Sequence, residues 1–207
     1  MLIPFDIITK KYNMVIKGIL HIGAHNCEEL SAYQQYGLKN NQIIWIEANP
    51  ELVKQNLNVD KSRIIKNFIC CDKDTGTYKL NIANNGQSSS ILELGTHQLS
   101  YPSIKYTDIV EVKNNRIDTM YSEENIPQKF ANFVNIDIQG AELLALKGMG
   151  ELLTFFDYVY LEVNNDYVYK NCALVHEIDE YLLKYNFNRI ETKWTNVNWG
   201  DALYIKN

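Results

Sequence analysis

Residues 133–142 read Phe133-Val134-Asn135-Ile136-Asp137-Ile138-Gln139-Gly140-Ala141-Glu142. The run begins as a buried apolar strand and passes through a glycine into the opening of a helix. Asp137 ends the strand and Glu142 opens the helix, so two carboxylates flank the handover. Open α/β sheets hold their ligands at such a place, in the crevice outside the carboxyl ends of the strands. The chemistry of the chain is expected here.

Upstream, apolar runs alternate with helical patterns. Residues 18–22, 42–47 and 64–70 read as buried strands, with helices over 28–36 and from Pro50 to 57, proline being suited to a first helical position. This β-α-β-α-β order implies an α/β fold with a parallel sheet covered by helices on both faces. Residues 77–82 and 108–112 alternate polar and apolar side chains and read as half-exposed strands. The polar segment 84–107 between them is too long for a plain connection, and is expected to lie as a loop over the carboxyl edge of the sheet. Downstream, 130–136 and 158–163 are strands, and 141–147 is a helix stopped near Gly148 and Gly150. Residues 174–185 form an amphipathic helix. The last two strands, 187–192 and 202–205, are too close in sequence for a parallel crossover and are expected to be antiparallel. One domain over 1–207 is expected, with 1–17 as an N-terminal extension.

The bulk numbers exclude several classes. The 207 residues, 46% hydrophobic and 22% charged, carry a formal charge of −5 without a Lys/Arg run, which argues against general nucleic-acid binding. No stretch approaches the about 18 consecutive apolar residues of a membrane span, so no membrane partner and a soluble cytoplasmic location are the expectation. Cys27, Cys70, Cys71 and Cys172 show no metal-ligand spacing and read as reduced, buried thiols. His176 and Asp179 lack a third ligand, and no metal site is expected.

The end of the first strand, His21-Ile22-Gly23-Ala24-His25-Asn26-Cys27-Glu28, is a glycine turn before a helix, the nucleotide position of doubly wound folds. His25 and Glu28 occupy places that a dinucleotide fingerprint gives to glycine, and they are poor neighbours for two phosphates. A ligand with a ribose, an amino acid group and a positive centre fits better; the alternative is a tight turn whose histidines only satisfy backbone groups. Glu47, followed by Ala48, ends the second strand, where an acid accepts hydrogen bonds from two ribose hydroxyls. Its alternative role is an acid preceding the Pro50 helix. Asp72 follows the third strand, where it can meet an adenine amino group or simply belong to the turn Asp72-Lys73-Asp74-Thr75-Gly76. Asp137 and Glu142 can hold a substrate hydroxyl or take its proton; equally, Asp137 can cap the following helix and Glu142 complement its dipole. His97 has no assigned role, and Trp194 and Trp199 read as cover for the sheet edge.

Taken together, Asn135 to Met149, the glycine turn, Glu47-Ala48-Asn49-Pro50, Cys70-Cys71-Asp72, the serine patch Ser88-Ser89-Ser90 and the ending Trp199 to Lys206 resemble the FkbM family of S-adenosylmethionine-dependent methyltransferases. The resemblance runs from Gly18 to the end. It implies a class I methyltransferase fold: a Rossmann-like three-layer sandwich with a seven-stranded, mostly parallel sheet and one antiparallel strand. It also implies S-adenosyl-L-methionine as cofactor and methyl transfer to the oxygen of a small-molecule or sugar-like (carbohydrate) acceptor. Residues His21, Gly23, Ala24, His25 and Glu28 would shape the amino acid side of the cofactor site, Glu47 and Ala48 the ribose side, and Asp72 the adenine side. Ser90 and Asp137 would complete it, with Asp137 and Glu142 as the catalytic pair.

Four positions depart from the family pattern. His21 stands where many members carry an acid, Cys27 replaces a glycine, Gln139 replaces a glutamate, and Asn135 occupies a place often held by lysine. Gln139, Asn135 and Cys27 motivate an alternative reading as a cofactor-binding or interaction module without transferase activity. A dinucleotide-dependent oxidoreductase is the third reading, opposed by His25.

Overall fold

The computed structural model describes residues 1–74 and 76–207. In chain order the elements are α1 (Phe5–Lys11), β1 (Ile19–Ile22), α2 (Leu30–Tyr36), β2 (Ile43–Ile46), α3 (Pro50–Val59), β3 (Ile64–Lys66), β4 (Ile69–Cys70), β5 (Thr77–Ala83), α4 (His97–Ser100) and β6 (Tyr106–Asn115). Then come α5 (Ile117–Glu123), β7 (Phe133–Ile136), α6 (Glu142–Met149), β8 (Tyr158–Asn164), α7 (Val175–Leu183), β9 (Phe187–Trp194) and β10 (Trp199–Lys206). Every residue of β1, β2 and β7 is buried, as continuous apolar runs require of strands covered on both faces.

Seven strands form one sheet in the order β3-β2-β1-β7-β8-β10-β9. All neighbours are parallel except β10, which runs antiparallel to both β8 and β9. This is the class I methyltransferase-like α/β arrangement. The link between β9 and β10 is too short for a crossover, so the chain must double back. On one face Ile8 of α1 and Tyr33 of α2 pack with Trp45 and Phe133, and on the other Ile117, Met120, Leu146, Ile178 and Leu182 of α5, α6 and α7 join the apolar side chains of the strands.

Three elements differ from the sequence reading. Residues 64–70 are not one strand: the Asn67 amide donates to the carbonyls of Glu47 and Ala48 at 2.9 and 3.0 Å, which draws the chain away from β2. β4 then pairs with β6, which also pairs with β5, making a second, three-stranded sheet. Segment 84–107 is more than a loop, since it contains α4 and a bridge between Leu94 and Tyr169. Residues 1–17 are part of the core, with the Phe5 ring 4.8 Å from Tyr33 and 5.4 Å from Phe133.

Strand alternation decides which polar groups meet. Side chains two residues apart share a face, so Tyr160 and Glu162 of β8 lie on the same side, as do Asp201 and Leu203 of β10. Register adds the rest: His21 is opposite Asn135, Asn135 opposite Tyr160, and Glu162 opposite Asp201. Asp137 follows Ile136, whose partner Leu161 precedes Glu162. Three carboxylates therefore stand in one row across three neighbouring strands.

Candidate active site

The cleft at the carboxyl ends of β1, β2 and β7 has two lobes. The first is lined by the glycine turn, Glu47 to Asn49, and the apolar side chains of Leu52, Phe68, Ile69, Leu80 and Ile91. The second, about 420 Å³, is lined by His21, Glu28, Glu29, His97, Tyr101, Tyr160, Glu162, Tyr169, Trp199 and Asp201, among others. Gly23, His25, Gln87, Asp137 and Gln139 border both lobes.

The turn after β1 is built by close backbone approach. Gly23 has φ +91°, and a Cβ there would stand 1.8 Å from the Asp137 carbonyl oxygen. Only glycine lets the ends of β1 and β7 meet this closely. The Gly23 and Ala24 amides donate to the Ile46 carbonyl at 2.9 and 3.0 Å, so Ala24 shapes the turn without lining either lobe. Glu47 fixes the turn from β2: one oxygen accepts from the His25 amide and the other from the Asn49 amide, both at 2.7 Å. Burial raises the Glu47 pKa against those two bonds. Each of its oxygens keeps further lone-pair capacity, and the residue lines the first lobe. The helix-cap role falls instead to Asn49, which accepts from the Glu51 amide.

His25 and Cys27 adopt φ of +42° and +56°. The His25 ring meets the Glu28 carboxylate at 2.5 Å, and this bond raises its pKa. His21 is buried, 3.0 Å from the Tyr33 hydroxyl, and burial lowers its pKa to about 4. It lines only the second lobe, as does Glu28. Ala48 and Ser90 line the first, where the Ser90 hydroxyl donates to the Gln139 carbonyl at 2.7 Å.

The turn 137–142 separates its two carboxylates. Asp137 is solvent-accessible in the cleft but enclosed by protein, and this desolvation together with Asp201 pushes its pKa up to about 6. It does not cap α6, whose cap position is Ala141. Glu142 points away from both lobes: its Oε1 accepts from the Ile138 and Gly140 amides, each at 3.1 Å. The turn that presents those amides contains two consecutive residues with positive φ, Gln139 at +56° and Gly140 at +97°. Burial pushes the Glu142 pKa up to about 7.

Gln139 is the hub. Its amide nitrogen donates to Asp137 at 2.7 Å and to Glu162 at 3.0 Å, while its oxygen accepts from the Tyr169 hydroxyl at 2.5 Å. An amide supplies the two hydrogens that neighbouring carboxylates lack. Asp201 accepts from the Tyr160 hydroxyl and the Leu2 amide, both at 2.5 Å.

Of the residues expected from sequence, Gly23, His25, Glu47, Ala48, Ser90 and Asp137 come together at the first lobe. Asp72 is not brought to the cleft: the departure of β4 into the second sheet carries it off, and its carbonyl accepts from Arg116 at 3.0 Å. Sequence reasoning did not single out Tyr160, Glu162, Tyr169 and Asp201. A signal existed for two of them, since Glu162 and Asp201 interrupt otherwise apolar strands, where a charge is expensive unless it has work to do. All four cysteines are buried and free. Among the described residues no group of three or more His, Cys, Asp or Glu is arranged to hold a metal ion, and no helix is long and apolar enough to cross a membrane.

A family profile described as "Methyltransferase FkbM domain" matches residues 21–189. Among solved structures, the chain is similar to a methyltransferase FkbM from Methylobacillus flagellatus KT, with 15% identity and a TM-score of 0.58 over 91% of this chain and 43% of that one. It is also similar to a magnesium protoporphyrin IX methyltransferase from Synechocystis PCC 6803 with bound S-adenosylmethionine, with 7% identity and a TM-score of 0.52 over 98% and 76%. A third is an S-adenosylmethionine-dependent methyltransferase from Clostridium acetobutylicum ATCC 824, with 8% identity and a TM-score of 0.53 over 98% and 89%. The chain spans less than half the length of the first of these, and identities this low bear on the fold alone. No curated protein sequence matches the chain.

Proposed function

The chain belongs to the FkbM methyltransferase family, and from that premise we propose that it transfers a methyl group from S-adenosyl-L-methionine to the hydroxyl oxygen of a small-molecule acceptor. The observation that carries this reading is Asp137 standing at the junction of the two lobes. One lobe has an acidic and apolar lining suited to a nucleoside, and the other has room for an acceptor.

The residues of the first lobe suit the cofactor. The free lone pairs of Glu47 match a ribose diol, and the apolar slot between Leu52, Phe68, Ile69, Leu80 and Ile91 suits the face of a purine. Gly23 lets the turn pack directly against the Asp137 backbone at the edge of the lobe. When bound, the cofactor supplies a methyl on a cationic sulfur, which leaves as a neutral thioether as the carbon–sulfur bond breaks and the carbon–oxygen bond forms. The protein's work is to position the acceptor and remove its proton. Asp137 takes that proton, its pKa of about 6 giving a stronger base than an ordinary aspartate while leaving it mostly ionised at neutral pH. Gln139 holds the Asp137 carboxylate in place through Oδ1 and leaves Oδ2 for the acceptor. Glu142 acts on the backbone of the turn rather than on substrate.

Calorimetric titration with S-adenosylmethionine and S-adenosylhomocysteine tests the cofactor, and transfer of labelled methyl to a panel of hydroxyl compounds tests the reaction. Asp137→Asn is expected to keep S-adenosylhomocysteine binding and lower the transfer rate by at least about 100-fold. Absence of binding by either ligand would overturn the proposal.

A further inference from the structure

A chain of hydrogen bonds crosses the wall of the second lobe and ends on Asp137. Tyr169 is fully buried in that wall, with its hydroxyl 2.5 Å from the Gln139 side-chain oxygen and 3.5 Å from the Ser88 carbonyl. A phenol has one hydrogen to donate, and the shorter bond takes it. With its oxygen engaged there, the Gln139 amide turns its nitrogen to Asp137 Oδ1 at 2.7 Å and Glu162 Oε2 at 3.0 Å.

The reversed amide is the competing state. Its nitrogen would donate to the Tyr169 oxygen, the Tyr169 hydrogen would pass to Ser88 over the longer distance, and its oxygen would face the two carboxyls. Burial first and the neighbouring Asp137 second raise the Glu162 pKa, so a protonated Glu162 can donate to that oxygen. Asp137 would then lose the donor that holds its Oδ1. Donation from Tyr169 opposes this reversal.

Tyr169 has a fixed place from which to act. Residues 93–97 and 167–170 are zipped together by their backbones: the Lys170 amide donates to Glu93 at 2.8 Å, the Gly95 and His97 amides to Val168 at 2.9 and 3.1 Å, and the Thr96 amide to Tyr167 at 3.0 Å. Gly95 permits this approach, since a Cβ there would stand 2.1 Å from the Tyr167 carbonyl oxygen. The Tyr169 ring also packs 5.5 Å from that of His97. A side chain locked in this way can orient its neighbours.

Building on the methyltransferase reading, we propose that Tyr169 is a positioning residue: by donating to Gln139 it sets the direction of the amide that holds Asp137, and so keeps that carboxylate ionised and ready for the acceptor. Tyr169 lines only the second lobe, so the cofactor side does not depend on its hydroxyl. The other ionisable groups acting on or acted on by Asp137 are Asp201 of β10, Glu162 and Tyr160 of β8, Glu142 of α6, Glu29 beside α2, His25 of the turn after β1 and the Met1 ammonium. Tyr169→Phe leaves all of them in place.

The test follows the Asp137 carboxyl of the full chain by carbon NMR across pH, with its signal assigned by loss in Asp137→Asn, beside the pH profile of methyl transfer. Tyr169→Phe is expected to raise the Asp137 midpoint by at least about 0.5 pH unit, about threefold in proton affinity, and to move the acid limb of kcat to higher pH by the same amount. S-adenosylhomocysteine affinity and the acceptor KM are expected to stay within about twofold. Gln139→Met serves as the second variant: it is expected to raise the midpoint by itself, and adding Tyr169→Phe to it to raise the midpoint no further, because a residue that acts through Gln139 then has nothing to act on. An unchanged Asp137 midpoint in Tyr169→Phe, a shift that adds in full to that of Gln139→Met, or a higher acceptor KM with kcat and its pH profile unmoved would overturn the inference. A native chain that transferred no methyl would overturn the methyltransferase reading, and the NMR midpoints would still decide what Tyr169 does to Asp137.

Discussion

Glu142 is best tested by two substitutions that separate its shape from its charge. Its Oε1 is the acceptor for the amides of Ile138 and Gly140, at 3.1 Å each, and these bonds hold a turn in which Gln139 occupies the left-handed region. A non-glycine residue there costs about 1–2 kcal/mol that neighbouring bonds must offset. Glu142→Ala strands two enclosed N–H groups at about 1–3 kcal/mol each, so a loss of about 2–6 kcal/mol is expected. That is a large part of the about 5–15 kcal/mol that holds an ordinary domain. Glu142→Gln keeps an acceptor in the same place. Because burial already favours the neutral form of the native carboxyl, the amide is expected to cost less than about 1 kcal/mol. Urea denaturation followed by tryptophan fluorescence reads both, and methyl transfer by the Gln variant is expected to stay within about threefold of the native rate. A Gln variant as unstable as the Ala variant would refute the clamp, as would an Ala variant of native stability. Loss of transfer in a fully stable Gln variant would return Glu142 to a catalytic role.

Further expectations bear on other parts of the cleft. Glu47→Ala removes the acceptor for the His25 and Asn49 amides and for the ribose, so S-adenosylhomocysteine affinity is expected to fall more than about tenfold by calorimetry. Gly23→Ala puts a methyl group 1.8 Å from the Asp137 carbonyl, and a loss above about 4 kcal/mol in urea denaturation, or no soluble protein, is expected. Stability should also depend on pH in a defined direction. Asp137 and Glu142 have folded pKa values of about 6 and about 7, above their unfolded values of 3.8 and 4.5, so the folded chain binds more protons between them. Their contribution is fully present below pH 4 and lost as pH rises through 6 to 7. The urea midpoint is therefore expected to be higher at pH 5 than at pH 8, and a flat or opposite profile would contradict the burial of these carboxyls.

The structure also explains two departures from the family pattern. Gln139 supplies two N–H donors exactly where two carboxylates face each other, a role glutamate cannot fill unless protonated. Asn135, on the strand between His21 and Tyr160, bonds the Tyr33 hydroxyl at 3.2 Å inside a buried polar group. The structure gives no reason for Cys27 in place of glycine at φ +56° beyond its burial.

Local patterns in the sequence determined most strands and the helices α2, α3, α6 and α7, but not α1, α4 or α5. Apolar runs of strand length, proline at a helix start and glycine at the turn after β1 are visible one segment at a time, because burial on one or both faces imposes its period on neighbouring residues. Six strands of the main sheet, the antiparallel closing pair and the residues at the ends of β1, β2 and β7 were legible for that reason, whereas β3 and β4 read as a single run. What pairs with what was decided only in three dimensions. The row of Asp137, Glu162 and Asp201 depends on the register of three strands drawn from separate stretches of chain, and a shift of one residue would turn each side chain to the opposite face. The same holds for Glu142, whose type and position fit a catalytic acid until the turn aims it at backbone amides, and for Asp72, carried off by a strand that left its sheet. Hydrogen-bond partners far apart in sequence set these outcomes, and no local period records them.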